Sequence, residues 1–148
     1  MLSVERLLFF CSALVLMSSA PFEITVSVLP DDIDEQNHVN NAVYLRWVQD
    51  VATAHWQAVA SPEAQNNIGW VVLRHEIDYK NPAVLGDKIL LRTWVGKATR
   101  LTFERFTEIK RDPDKQLLSE ARTLWCPIST QTARPIRAPA EVRAQFST

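Results

Sequence analysis

Glycine and cysteine are scarce in this chain and its charges nearly cancel: three glycines, two cysteines and a net charge of −1 in 148 residues. So few glycines leave little material for phosphate-cradling Gly-rich loops. Neither such a loop nor a Gly-x-Ser-x-Gly turn occurs. Without that nucleophile turn, and with too short a chain for their sheets, the Ser/His/Asp hydrolase architectures are excluded. Two isolated thiols, Cys11 and Cys126, make no disulfide framework and fit a reducing compartment as well as an oxidising one. They and the three histidines never stand as close pairs, so zinc-ligand spacing is missing and no cofactor is expected. The balanced charge supplies no global field toward nucleic acid or anionic membrane.

What remains has the composition of one globular domain, 47% hydrophobic and 22% charged, with five tryptophans as its unusual feature. The apolar run Leu7 to Met17 is shorter than the roughly 20 residues a bilayer span requires. It can be read as a secretory signal with Ser18-Ser19-Ala20 as the cleavage site, or as an over-extended start with translation beginning at Met17. Glu5 beside Arg6 and Pro21 just past the cut weigh against the signal. The expectation is an N-terminal extension over 1–20 and a cytoplasmic domain over 21–148, with no stable membrane span.

From Pro21 onward the pattern reads strand, helix, then four strands. Phe22 to Leu29 alternates apolar and polar, the period of a half-buried strand. Asn40 or Asn41 suits a helix N-cap, and Tyr44, Val48, Val51, Ala52, His55 and Val59 fall on one helical face, predicting an amphipathic helix of about 20 residues. Ser61-Pro62 stops it, and Glu63 to Asn67 reads as a polar loop. Strands are predicted over 70–80, 88–98, 101–110 and 117–128, with Val71, Leu73, His75, Ile77 and Tyr79 sharing one face of the first. Gly86-Asp87 and Asp112-Pro113-Asp114 are turns. Ala138 to Phe146 forms a last short helix with Pro139 at its first position. One helix cannot cover both faces of five strands, and the short links favour antiparallel neighbours. The expected architecture is α+β, a curved antiparallel sheet of about five strands around one long helix. Its exposed face and edges argue for a dimer.

Chemistry concentrates in Asp34 to Asn41, between the first strand and the helix start. Free amides and the positive end of the helix dipole project from that first turn, and can polarise a carbonyl. A carboxylate at Asp34 could attack such a carbonyl or activate water against it, with His38 as a second polar group. A plain capping turn built from Asp31, Asp32 and Asp34 explains the same residues. His55 reads as a hydrogen-bonded core histidine, His75 similarly, and Cys126 as a small buried apolar group.

Asp34-x-x-x-His38-Val39-Asn40-Asn41-x-x-Tyr44 followed by an amphipathic helix resembles the signature of the 4-hydroxybenzoyl-CoA thioesterase-like hotdog family, and is similar to the loop of plant acyl-ACP thioesterases. Ile77-Asp78-Tyr79-x-Asn81-Pro82-Ala83-x-x-Gly86-Asp87 resembles the next shared stretch, and Thr123-Leu124-Trp125 and Thr132-x-Arg134-Pro135 also look familial. The resemblance implies a hotdog fold and hydrolysis of an acyl-CoA or acyl-ACP thioester, at a site formed in a homodimer or homotetramer. It implies Asp34 as nucleophile or general base, His38 as a catalytic partner and the Asn41 amide as carbonyl-polarising donor. Asn40, Tyr44 and Tyr79 are the implied substrate-binding residues. A non-catalytic acyl-thioester-binding protein is the alternative. Asn37 stands where the family usually has glycine, a substitution that asparagine's tolerance of the left-handed conformation permits. Gln36 stands where the plant-type loop has asparagine.

Overall fold

The computed structural model describes residues 20–148; the readings of the N-terminal extension, Met17 as a start included, lie outside the described residues, as does Cys11. Five strands form one antiparallel sheet in the order β1-β3-β4-β5-β2. They are β1 (Phe22–Ser27), β2 (Ile68–Tyr79), β3 (Lys88–Ala98), β4 (Phe103–Asp112) and β5 (Leu117–Ser129). Helix α1 (Asn41–Val59) lies against the sheet, followed by the short α2 (Pro62–Asn67); α3 (Ala140–Phe146) closes the chain. This is the α+β arrangement expected from the pattern.

The predicted helix face is the buried one. Val43, Tyr44, Trp47, Val48, Val51, Ala52 and His55 are buried along α1, spaced to form a single stripe. Asn40 caps the start, its side chain accepting from the Ala42 amide. Alternation along β3 and β4 buries Ile89, Leu91, Thr93 and Val95 on one strand and Phe103, Arg105, Thr107 and Ile109 on the other. The buried side chains form two clusters. One, around Val48, Leu91, Ile109 and Leu118, sits at the N-terminal end of α1. The other, around Ile68, Phe103, Val142 and Phe146, sits toward its C-terminal end. On the outer face, Arg122 pairs with Glu104 and Glu76, and Arg92 with Glu23 and Glu108. Those ion pairs suit a sheet face that meets water.

Two elements differ from expectation. The segment read as a polar loop is α2: Ser61 caps it by accepting the Ala64 amide and Pro62 opens it, so a capping signal rather than apolar periodicity specifies it. On β2 the pairing with β5 slips between Val72 and Arg74. This bulge at Leu73 reverses the side-chain phase. Trp70 and Val72, opposite Pro127 and Trp125, therefore share the inner face with His75, Ile77 and Tyr79, whereas Val71 and Leu73 are 39% and 57% exposed. Smaller differences are at element ends. β1 stops at Ser27, where the Val28 amide turns to the Asp87 carbonyl, and Pro139 caps α3 rather than opening it.

Candidate active site

The Asp34 loop is a tight turn closed on itself. Ile33 and Val39 form an isolated antiparallel bridge, the Asp34 amide donates to the His38 carbonyl, and the Asn37 amide donates to the Asp34 carbonyl. Asn37 takes φ 61°, the left-handed conformation that asparagine tolerates where glycine is usual. One oxygen of the Asp34 carboxylate, Oδ1, accepts from the amides of Gln36 at 2.9 Å and His38 at 3.4 Å. The other oxygen has no hydrogen-bond partner among the described residues, and the side chain is half-buried. His38 is exposed on the same turn.

The turn is anchored at its base by Asp32, 3% exposed. Its carboxylate accepts from the Leu29 amide at 2.9 Å and from the Arg46 guanidinium of α1 at 2.7 Å. Burial alone would push this carboxyl up; the Leu29 amide and Arg46 outweigh it and hold it below the usual carboxylate range. The Asn40 amide donates to the Asp32 carbonyl, which fixes the entry into α1 directly after the turn. Asn41 is the first helical residue, and its amide has no partner among the described residues, as helix geometry requires of a first-turn amide.

The two motifs singled out in the sequence are physically one unit. Ala83, fully buried, accepts from the Val39 amide and donates its own amide to the Tyr44 hydroxyl at 2.9 Å. Tyr79 donates its hydroxyl to the Asn41 carbonyl at 3.1 Å, and its ring meets Tyr44 edge-on at 5.3 Å. Burial pushes the Tyr44 phenol up despite the Ala83 amide, and pushes Tyr79 up as well. Both are neutral and serve as fixed hydrogen-bonding posts. Gly86 takes φ 91° in the turn that leads into β3, and there the Asp87 carboxylate accepts from the Val84 amide.

Together these parts wall a broad, polar cleft of about 830 Å³ lined by Asp34, His38, Asn40, Asn41, Tyr44 and Tyr79, with Lys80, Asn81 and Pro82 on the far side. All six residues expected from the sequence thus border one space. Tyr44 is almost completely buried, so it borders the cleft as a structural post. Lys80 was not expected there; it pairs with Glu120 at 3.3 Å and its place after Tyr79 on β2 was the only sequence cue. Among the described residues no group of three or more His, Cys, Asp or Glu side chains could hold a metal, and no helix is long and apolar enough to cross a membrane.

A second polar cluster joins His55, expected as a hydrogen-bonded core histidine, to Arg105, which was not expected. Arg105, 7% exposed, donates from Nη1 to Nδ1 of His55 at 3.0 Å and to the Thr93 hydroxyl at 3.1 Å. His55 is stacked on Phe22 at 5.0 Å and tilted against Phe146. Burial, reinforced by the Arg105 charge, pushes it down to about 4, so it is a neutral core histidine, as expected. The available signal for Arg105 was its inward position in the alternation of β4.

A family model described as the thioesterase-like superfamily matches residues 28–146. The long-chain acyl-CoA thioesterase FadM of Escherichia coli (strain K12) is 25% identical over 119 residues, spanning 77% of this chain and 88% of that protein. Slr0204, a 1,4-dihydroxy-2-naphthoyl-CoA thioesterase from Synechocystis, superposes with a TM-score of 0.74 at 19% identity, over 86% of this chain and 96% of that one. SAV2348 from Staphylococcus aureus, solved in complex with CoA, gives a TM-score of 0.76 at 21% identity, over 86% and 82% of the two chains. At those identities the two structures bear on the fold, and the fold is the hotdog. With its sequence matched by the family from the end of β1 through α3, the chain belongs to the thioesterase-like superfamily and is a thioester hydrolase.

Proposed function

We propose that this protein hydrolyses acyl-CoA thioesters in the Asp34 cleft, Asp34 acting as nucleophile or general base and the Asn41 amide polarising the thioester carbonyl. The observation that carries the reading is that a carboxylate with one free oxygen and an unpaired helix-start amide border the same cleft. With Oδ1 committed to the Gln36 and His38 amides, Oδ2 is the reacting atom. Along one route Oδ2 attacks the carbonyl carbon, the thiolate leaves and takes a proton, and water then cleaves the mixed anhydride. Along the other, Oδ2 takes a proton from a water molecule as that water attacks. In both, the developing oxyanion sits against the positive end of α1. His38 lies within the same turn as a second polar group for the attacking water or the departing thiol. Asn40, Tyr44 and Tyr79 hold the walls in place.

The same reading places a second copy of the chain along β2. That strand ends the sheet, and its far edge is unpaired among the described residues. An edge of 12 residues is a template for further pairing. Its last residue, Tyr79, lines the cleft, so a partner added there stands beside the site and narrows it. Residence in the cytoplasm accords with this reading.

Release of free thiol from a panel of acyl-CoA esters tests the activity. Asp34→Ala removes the reacting oxygen and the acceptor for two loop amides. Asp34→Asn keeps the acceptor, so it separates chemistry from loop geometry. Both variants are expected to lose at least about 100-fold in kcat, the scale of general-base loss, with the fold intact by circular dichroism. Unchanged turnover in Asp34→Asn would remove this carboxylate from the mechanism. A single turnover in ¹⁸O-water reports on the routes: label in the Asp34 side chain identifies a nucleophile whose anhydride water opens at Cγ, whereas label in the acid product alone fits the general base or an anhydride opened at the acyl carbon, which hydroxylamine trapping of the anhydride then separates.

A further inference from the structure

A second cavity lies between α1 and the sheet at the other end of the helix. It shares no lining residue with the Asp34 cleft. About 270 Å³ in volume, it is lined by Ala52, Thr53, Trp56, Ile68, Gly69, Trp70, Val95, Phe103, Arg105, Trp125 and Phe146. The nearest residues of α1 that line the two spaces, Tyr44 and Ala52, are about 12 Å apart along the helix axis at 1.5 Å per residue. The aromatic walls are ordered: Trp56 meets Trp70 edge-on at 5.4 Å, and Trp70 meets Phe103 edge-on at 5.0 Å.

The polar groups of this apolar chamber are unbalanced. Arg105 is buried, and among the described residues no carboxylate forms an ion pair with it. Its side-chain partners, His55 and Thr93, are uncharged; His55 is held neutral by its own burial. The indole Nε1 atoms of Trp70 and Trp125 are buried without an acceptor. Indole and guanidinium groups can only donate. A buried charge with no counter-charge and two unsatisfied buried donors are costly features, and a close-packed core has no need of them. All three residues line the cavity, and a ligand that brings an acceptor bearing negative charge would relieve the unpaired Arg105 charge.

We propose that this cavity binds a small hydrophobic carboxylate, its apolar body among the Trp and Phe rings and its carboxylate paired with the Arg105 guanidinium. The volume suits more than a single benzene ring, for which about 150 Å³ is enough. A substituted benzoate or a medium-length aliphatic acid fits that scale. Such a carboxylate has two sources: a free acid, or the distal carboxyl of an acyl group still joined to its thiol.

Isothermal titration of the full chain with 4-butylbenzoate, and with 4-butylbenzamide as the uncharged isostere, tests the binding directly. The acid is expected to bind saturably, at least tenfold more tightly than the amide. Arg105→Met is expected to remove that preference while keeping the fold, since an apolar replacement of a buried unpaired charge is tolerated. Ala52→Leu fills the cavity from α1 while keeping the Arg105 side chain, and is expected to abolish binding of both compounds. For the second source, which rests on the thioesterase reading, hexadecanedioyl-CoA and palmitoyl-CoA are compared, because the helix rises about 21 Å between Asn41 and His55, beyond the reach of a short diacid. If the tethered carboxyl is the ligand, Arg105→Met raises KM for hexadecanedioyl-CoA tenfold or more and leaves palmitoyl-CoA unchanged; equal effects on the two esters assign the site to free acids. Absence of saturable binding of the acid together with no hexadecanedioyl-CoA preference overturns the proposal, as does acid binding that Arg105→Met leaves intact. A chain with no hydrolytic activity leaves the titration readable, so failure of the cavity and failure of the catalytic cleft are distinguishable.

Discussion

Protonating His55 should destabilise this protein from within, and its environment sets the size of the effect. The ring is 4% exposed, sandwiched by Phe22 and Phe146 and accepting a hydrogen bond from Arg105. Its pKa falls from the ordinary 6.5 to about 4, through burial first and the Arg105 charge second. In the unfolded chain the ring takes up its proton near pH 6.5, whereas in the folded chain it resists until near pH 4. Between those values the unfolded state binds more protons, so stability falls as pH falls, and the stability present above pH 6.5 is gone by pH 4. At about 1.4 kcal/mol per pH unit, the window corresponds to a loss of up to about 3 kcal/mol, a large share of the 5–15 kcal/mol typical of a domain. Urea melts followed by tryptophan fluorescence at intervals from pH 8 to pH 4 measure it. Burial lowers His75 too, and that ring adds to the loss with the same sign. His55→Gln keeps an acceptor for Arg105 but cannot be protonated, so the difference between the two curves isolates this ring. A wild-type curve that is flat from pH 6.5 to 4, or a decline equally steep in His55→Gln, would refute the reasoning.

Two further outcomes follow from other parts of the fold. Tyr44→Phe removes the acceptor for the fully buried Ala83 amide; an orphaned buried donor should cost about 1–3 kcal/mol in a urea melt, and a loss below a few tenths would mean that water replaces the hydroxyl. Leu73→Glu places a charge on the exposed, unpaired side of β2. It should weaken self-association by about tenfold or more, or 1.4 kcal/mol, in sedimentation velocity, and a wild-type chain that sediments as a monomer at micromolar concentration would refute pairing along this edge.

The parts of this fold that repeat were legible in its residues. The stripe from Tyr44 to His55 and the apolar content of β3 to β5 extend over many residues, so the helix, its buried face and the strands could be read before any coordinates. Single events were not legible. The bulge at Leu73 has no local signature, because nothing about leucine in a strand says that the partner strand skips it. Helix α2 lacks apolar periodicity, and its Ser61-Pro62 start reads equally as the stop of α1. At the cleft, the position of Asp34 ahead of a helix start made it a candidate on chemical grounds, but a capping turn explained the same residues until the Tyr79 to Asp87 motif and the single-helix architecture were read beside them. That Ala83 ties that turn to the Tyr79 strand depends on how distant segments meet. Arg105 stayed hidden for the same reason: an arginine in an alternating strand counts as an outward residue until its neighbours show that it points in.

The bulge in β2 makes the two ends of one strand independent of each other. Before it, Trp70 lines the aromatic chamber; after it, Tyr79 lines the Asp34 cleft. An odd residue between them resets the phase, so loss of that one position would turn one end inside out while leaving the other untouched. Insertion or deletion at Leu73 is therefore a coarse control on the whole enzyme, whereas substitution on either side of it adjusts one chamber at a time.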